Sequence, residues 1–149
     1  MLRSLFRSDM AEILELEEAM HVAPWTKETF EVCFRSGYIG WVLEANNRII
    51  AFIIISLQRE ECHVLNLVVA RQYQGKGHGR KLLEHALQYA KHHGIGIAYL
   101  EVRRSNTRAI SLYRNLHFSM VGERKNYYPI VGGTEDALIF AKSLVDEFP

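Results

Sequence analysis

Gln74-Gly75-Lys76-Gly77-His78-Gly79-Arg80-Lys81 is the stretch on which the fold turns. It follows the apolar run Val64-Leu65-Asn66-Leu67-Val68-Val69 and leads into Leu82-Leu83-Glu84-His85-Ala86-Leu87, whose apolar spacing predicts a helix. Glycines at 75, 77 and 79 let backbone N–H groups converge where side chains would block them. A helix that starts there adds its own unpaired N–H groups and the positive end of its dipole. Strand, glycine loop and helix start together form a site for phosphate or another anion. Arg71, Lys76, Arg80 and Lys81 flank the loop, and Arg103, Arg104 and Arg108 follow the next strand. Such clustering suits a compact polyanion; for any single one of them, a solvated basic surface explains the charge equally well.

On the N-terminal side, residues 7–22 carry Met10, Ile13, Leu14, Leu16 and Met20 at helical spacing, with Ser8 as an N-cap and the carboxylates toward solvent. His21-Val22-Ala23-Pro24-Trp25 breaks the pattern. Thr26 caps a second helix with Phe30, Cys33 and Phe34 on one face, and Gly37 stops it. Trp41-Val42-Leu43-Glu44 reads as a strand, Asn46-Asn47 as a turn, and residues 49–56 as a central strand buried on both faces. Glu60-Glu61 marks a second turn, and residues 62–69 complete an antiparallel meander.

On the C-terminal side, Leu82, Leu83, Ala86, Leu87 and Ala90 make one apolar helix face that ends at His92-His93-Gly94. Adjacent histidines there read as solvated partners of the helix dipole rather than metal ligands. Residues 97–102 form the next strand. It lies beyond a strand–helix crossover, so it runs parallel to the strand before the loop. Ser105 or Asn106 caps a short helix with Ala109, Ile110, Leu112 and Tyr113. Phe118-Ser119-Met120-Val121 and residues 137–141 read as a final pair of strands, with residues 123–134 between them. The expected fold is one α/β domain spanning residues 1–149, with a mixed, mostly antiparallel central sheet flanked by helices.

Composition narrows the function. The 149 residues are 48% apolar and 23% charged, ordinary for a soluble globular chain, and no apolar run spans a bilayer. The first residues lack a secretory core, and neither Leu2 nor the end Asp146-Glu147-Phe148-Pro149 carries a lipidation signal. A net charge of +1 argues against a general nucleic-acid binder. Cys33 and Cys62 make no metal pattern and read as buried free thiols, so no metal, no membrane and a cytoplasmic setting are expected. The loop lacks the Gly-Lys-Ser/Thr ending of a nucleotide phosphate loop, since Gly77 follows Lys76. A dinucleotide fold is also disfavoured, because a meander precedes the loop and no acidic ribose partner follows the next strand.

Gln74-x-x-Gly77-x-Gly79 resembles the Gln/Arg-x-x-Gly-x-Gly/Ala signature of the GNAT family of N-acetyltransferases. The order of elements agrees along nearly the whole chain. Ala109-Ile110-Ser111-Leu112-Tyr113 and Asn126-Tyr127-Tyr128-Pro129 are similar to stretches of the protein N-terminal acetyltransferases. That branch includes enzymes acting on the N-terminal alanine of a ribosomal small-subunit protein. The resemblance implies acetyl-CoA as co-substrate and a protein N-terminus as acceptor, with a monomer or weak dimer expected. Carried over, Leu67, Val68 and Val69 would offer backbone groups to the pantetheine arm. Gly75, Lys76, Gly77, His78, Gly79 and Arg80 would cradle the pyrophosphate, and Asn106 would hydrogen-bond the cofactor. Glu101 would be the general base and Tyr113 the general acid. The resemblance leaves open whether Lys76 and His78 touch phosphate or solvent.

Physical chemistry supports these roles and supplies alternatives. An α-amino group with a pKa of about 7.7–8.0 loses its proton cheaply, and a lysine near 10.4 costs roughly 3 kcal/mol more. One carboxylate therefore suffices as base. Glu101 stands in an otherwise apolar strand; it would alternatively be a surface partner of Arg103 or Arg104. Tyr113 would alternatively be a core aromatic. The acceptor is expected at residues 24–38 and 126–133, with Glu28 and Glu31 able to receive a basic residue. The competing functions are a lysine or small-amine acetyltransferase and a CoA-binding module without turnover.

Overall fold

Three residues suffice for a strand that hydrophobic periodicity does not announce. Leu2–Ser4 (β1) pairs antiparallel with Ile39–Ala45 (β2), Leu2 opposite Leu43 and Ser4 opposite Trp41. The computed structural model describes residues 1–145; Asp146 to Pro149, and with them the expected lack of a C-terminal lipidation signal, lie outside the described residues.

The first helix is shorter than its apolar spacing predicts. Arg7–Asp9 is a 3-10 turn and Met10–Met20 is α1. Ser8 is therefore not a cap. The Asp9 carboxylate takes the capping role instead, accepting from the Phe6 backbone N–H at 2.8 Å and from two Arg3 guanidinium nitrogens at 2.9 Å. A second correction concerns the carboxylates of α1. Glu12, Glu15 and Glu18 face solvent, but Glu17 is completely buried. It stands one helical turn after Ile13, so it shares the core-facing stripe.

Thr26 caps Lys27–Arg35 (α2), its hydroxyl accepting from the Thr29 N–H. Phe30 and Cys33 are buried, and Gly37 leaves the helix at φ +74°. Asn46 and Asn47 both take positive φ, as a two-residue hairpin turn between β2 and Arg48–Gln58 (β3) requires. Residues 49–56 of β3 are all buried. The next turn comes earlier than Glu60-Glu61: Arg59 takes the positive φ, and Glu61 already opens Glu61–Val69 (β4).

His78–His92 (α3) follows the glycine loop, with Leu82, Leu83, Ala86 and Ala90 fully buried. Ile97–Arg103 (β5) runs parallel to the first half of β4, Glu61 opposite Ile97 and Val64 opposite Leu100, as the crossover demands. Thr107–Asn115 is α4, capped by Asn106. The final strands are longer than expected. Ser119–Ile130 (β6) and Gly133–Ser143 (β7) take in most of residues 123–134, which the residue pattern places between strands. Asn126 sits at φ 53° where the register shifts, and Pro129 is tolerated because β6 is an edge strand.

The chain forms two compact units: Met1–Ser56 with Leu65–Tyr89, and Leu57–Val64 with the residues from Ala90 on. Strand order is β1-β2-β3-β4 and then β4-β5-β7-β6, one half of β4 belonging to each unit. All other pairings recorded are antiparallel, so the sheet is mixed and mostly antiparallel, as expected. Ile13, Phe30, Val42, Phe52, Ile54 and Val68 centre the core of the first unit. Cys33 and Cys62 are buried free thiols, and burial pushes Cys62 up to about 11. Among the described residues, no helix is long and apolar enough to cross a membrane.

Asp9 and Glu17 contribute to the acid limb of stability. The Arg3 hydrogen bonds hold the Asp9 carboxyl below the usual carboxylate range. Burial alone would raise Glu17, but three donated hydrogen bonds bring it below its ordinary value. A lowered folded-state pKa stabilises above the unfolded value, near 4, and that contribution is lost as pH falls further. Denaturant midpoints are expected to drop below about pH 4, and Asp9→Asn is expected to flatten that drop.

Candidate active site

The glycine loop is built within the first unit. After β4 comes a 3-10 turn, Arg71–Tyr73, and the Gln74 side-chain amide donates to the Val69 carbonyl at 3.1 Å. That bond ties the loop entrance to the end of the strand. Gly75 and Gly77 lie at φ +77° and +85°, and a Cβ on Gly77 would meet nothing within 4 Å. Glycine is needed at 77 for its backbone conformation, then, rather than for protein packing. Gly79 lies inside the first turn of α3, and Lys81 closes that turn onto the Gly77 carbonyl at 3.0 Å. The first turn of α3 holds no acidic residue, so no carboxylate of its own opposes an anion at its start. The side chain of Lys76 rests over the Tyr73 ring at 5.6 Å, and His78 meets the same ring edge-on. Arg80 pairs with Glu84 at 3.3 Å on an exposed face. Leu67 and Val69 are half-buried and Val68 is buried.

The acid–base candidates lie in the second unit. Glu101 is half-buried on β5, on the strand face opposite buried Leu100 and Val102. Its partner is Arg124, whose Nε donates at 2.9 Å, rather than Arg103 or Arg104. Arg103 instead bonds Glu135 and the Pro129 carbonyl and stacks on the Tyr128 ring at 4.4 Å. Arg104 pairs with Glu123 and Asp136. Strand register explains the exchange: β6 runs alongside β7, which pairs Ile139 with Glu101. Arg124 carried no sequence signal, because its approach depends on two ladders.

Tyr113 is buried on α4 against Phe118 and Phe140, at 6.0 and 6.3 Å between ring centroids. It is a core aromatic, and its phenol is also held protonated: burial, then the charge of Tyr128, pushes its pKa well up. Tyr128 itself is pushed up to about 12 by burial, followed by Glu101 and Tyr127. Tyr128 thus lies near enough to feel the Glu101 charge, a proximity the sequence did not show. The Asn106 carboxamide oxygen caps α4 by accepting from the Ala109 N–H at 3.1 Å. Its amide nitrogen is the group it would offer a ligand. Ser105 bonds Glu135 through both its N–H and its hydroxyl. Among the described residues, no three His, Cys, Asp or Glu side chains are placed to hold a metal ion.

The model of the acetyltransferase (GNAT) family matches residues 10–118. The chain belongs to the GNAT family of acetyltransferases. The ribosomal protein bS18-alanine N-acetyltransferase of Escherichia coli K12 is 37% identical over 138 residues, 93% of each chain. The enzyme of the same name from Haemophilus ducreyi is 34% identical over 142 residues, 95% of this chain and 98% of the relative. The crystal structure of the Escherichia coli ribosomal-protein-S18-alanine N-acetyltransferase superposes with a TM-score of 0.92 at 34% identity, covering 100% of this chain and 97% of that one. The GNAT fold and an acyl-transfer activity are thereby established for this chain, and the glycine loop falls inside the matched region.

Proposed function

We propose that the chain transfers acetyl from acetyl-CoA to the α-amine of an N-terminal alanine on a ribosomal small-subunit protein. The observation that carries this is the 37% identity, along 93% of both chains, to the Escherichia coli enzyme named for that reaction. The loop supports the donor side. Positive-φ glycines, a helix start without carboxylates and flanking Lys76, Arg80 and Lys81 fit a pyrophosphate. In this reading Gly75, Lys76, Gly77, His78, Gly79 and Arg80 hold the pyrophosphate. Leu67, Val68 and Val69 hold the pantetheine arm by backbone groups, and Asn106 bonds the cofactor through its amide nitrogen.

Glu101 takes the proton from the attacking amine. A backbone N–H of residues 67–69 donates to the oxyanion that forms as the amine adds to the thioester carbonyl. Tyr113, held neutral by burial, donates toward the departing sulfur. Residues 24–38 and 126–133 receive the peptide end. Residues 1–149 act as one domain, a monomer or weak dimer in the cytoplasm, and use neither nucleic acid nor membrane nor metal.

Free CoA is the direct readout. Mixing acetyl-CoA with a peptide that begins with the alanine of the ribosomal protein is expected to release CoA at a rate proportional to enzyme. Release only with a lysine side chain or a small amine would replace this acceptor with another. Cofactor binding without release from any amine would make the chain a CoA-binding module.

A further inference from the structure

Glu17 is the one wholly buried carboxylate among the described residues, and none of the roles above uses it. It has three partners from three places in the first unit. Oε2 accepts from the Trp25 backbone N–H at 2.9 Å and contacts Nδ1 of His21, one turn along α1, at 2.7 Å. Oε1 accepts from Nδ2 of Asn66 on β4 at 2.8 Å. An ion in an apolar core is costly, and a well-packed apolar side chain often stabilises as well or better. The positions of its partners suggest what Glu17 contributes beyond stability.

Trp25 lies between α1 and α2, and its ring meets Phe30 at 5.3 Å. Fixing its backbone N–H fixes the entry to α2, which Thr26 caps immediately afterwards. Residues 24–38 are the segment assigned above to the acceptor peptide. Asn66 directly precedes Leu67, the first of the residues assigned to the donor. One carboxylate therefore ties the acceptor segment to the donor strand.

We infer that Glu17 is a positioning residue for the acceptor peptide, acting through the Trp25 backbone and Asn66; this rests on the proposed acetyl transfer to a peptide end. It predicts a split in the kinetic constants that loss of stability alone would not give. Glu17→Met fills a similar volume with no acceptor and leaves the Trp25 N–H and Asn66 amide without their partner. Peptide KM is expected to rise about tenfold or more, with acetyl-CoA KM within about twofold. Glu17→Gln is the conservative rescue. Its oxygen can serve Trp25 and its nitrogen can pair with a flipped Asn66, so peptide KM is expected within about threefold of wild type. His21 is exposed, so His21→Ala should fold, and it removes one of the three partners. Peptide KM for that variant is expected to rise about threefold at unchanged acetyl-CoA KM.

Steady-state kinetics against both substrates, run beside thermal melts, decide the matter. If Glu17→Met does not fold, His21→Ala decides alone. Unchanged peptide KM in folded Glu17→Met, or in His21→Ala where Glu17→Met does not fold, or equal changes in both KM values, would overturn the inference while wild-type turnover upheld the proposed reaction. No wild-type turnover of the alanine peptide would remove both.

Discussion

Glu101→Gln is expected to lower kcat on the alanine peptide about a hundredfold or more while leaving acetyl-CoA binding within about twofold. Gln keeps the shape and the ability to accept from Arg124, so packing changes little. What disappears is the capacity to take a proton. The deficit is expected to narrow between pH 7 and 9, because the free α-amine, with a pKa of about 7.7–8.0, then supplies its own neutral form. Equal activity of variant and wild type at pH 7 would remove Glu101 from the reaction. Tyr113→Phe keeps the contacts with Phe118 and Phe140 and deletes only the hydroxyl. It is expected to lower kcat about tenfold to a hundredfold with both KM values kept. A change in melting temperature alone would mark Tyr113 as a packing residue only.

Gly77→Val gives the second large effect, and on the other substrate. At φ +85° a β-branched residue is strained whatever the surrounding space. Left-handed backbone costs an ordinary L-residue roughly 1–2 kcal/mol, and relief of that strain would turn the N–H groups away from the anion. The valine side chain also enters the open space beside Gly77, where the pyrophosphate is proposed to lie. Acetyl-CoA KM is expected to rise about thirtyfold or more, with a smaller change in kcat. The order of damage should be Val, then Ala, then Asn, because Asn tolerates this backbone region best among side-chain-bearing residues. An acetyl-CoA KM unchanged in Gly77→Val, measured directly by calorimetry as well as kinetically, would move the cofactor off the loop.

How much of this was legible in the residues depended on the range of the interaction. The apolar run at residues 49–55, bounded by the Asn46-Asn47 turn and too short for a buried helix, read as a doubly covered strand, and residues 49–56 are all buried. Asn46-Asn47 named its own turn through positive φ. The parallel partnership of β4 and β5 followed from a helix between two strands. A cap at Ser105 or Asn106 was legible, since a cap is a contact three residues away, and Asn106 is the one that caps.

Three features were hidden for a common reason. β1 has too few residues to show a period, and only its partner β2 makes it a strand. The outer part of β6, the edge strand, carries polar residues, a bulge at Asn126 and Pro129. An edge strand tolerates all of these, yet each weakens a strand pattern. Glu17 looked like any carboxylate on an amphipathic helix, and its partner Asn66 is 49 residues away. The glycine loop was recognisable as a strand-to-helix turn from its local residues. That Arg124 would hold Glu101, and that Tyr128 would come near the Glu101 charge, required the register of two strand ladders.

The central claim concerns which nitrogen receives the acetyl group. A peptide with the N-terminal sequence of the ribosomal protein, carrying one internal lysine, offers both kinds of amine to the enzyme with acetyl-CoA. Fragmentation mass spectrometry of the product then places the added acetyl group. Acetyl is expected on the alanine α-amine alone, and the same peptide with a blocked N-terminus should stay unmodified. Acetyl on the lysine side chain, with the alanine amine left free, would contradict that claim.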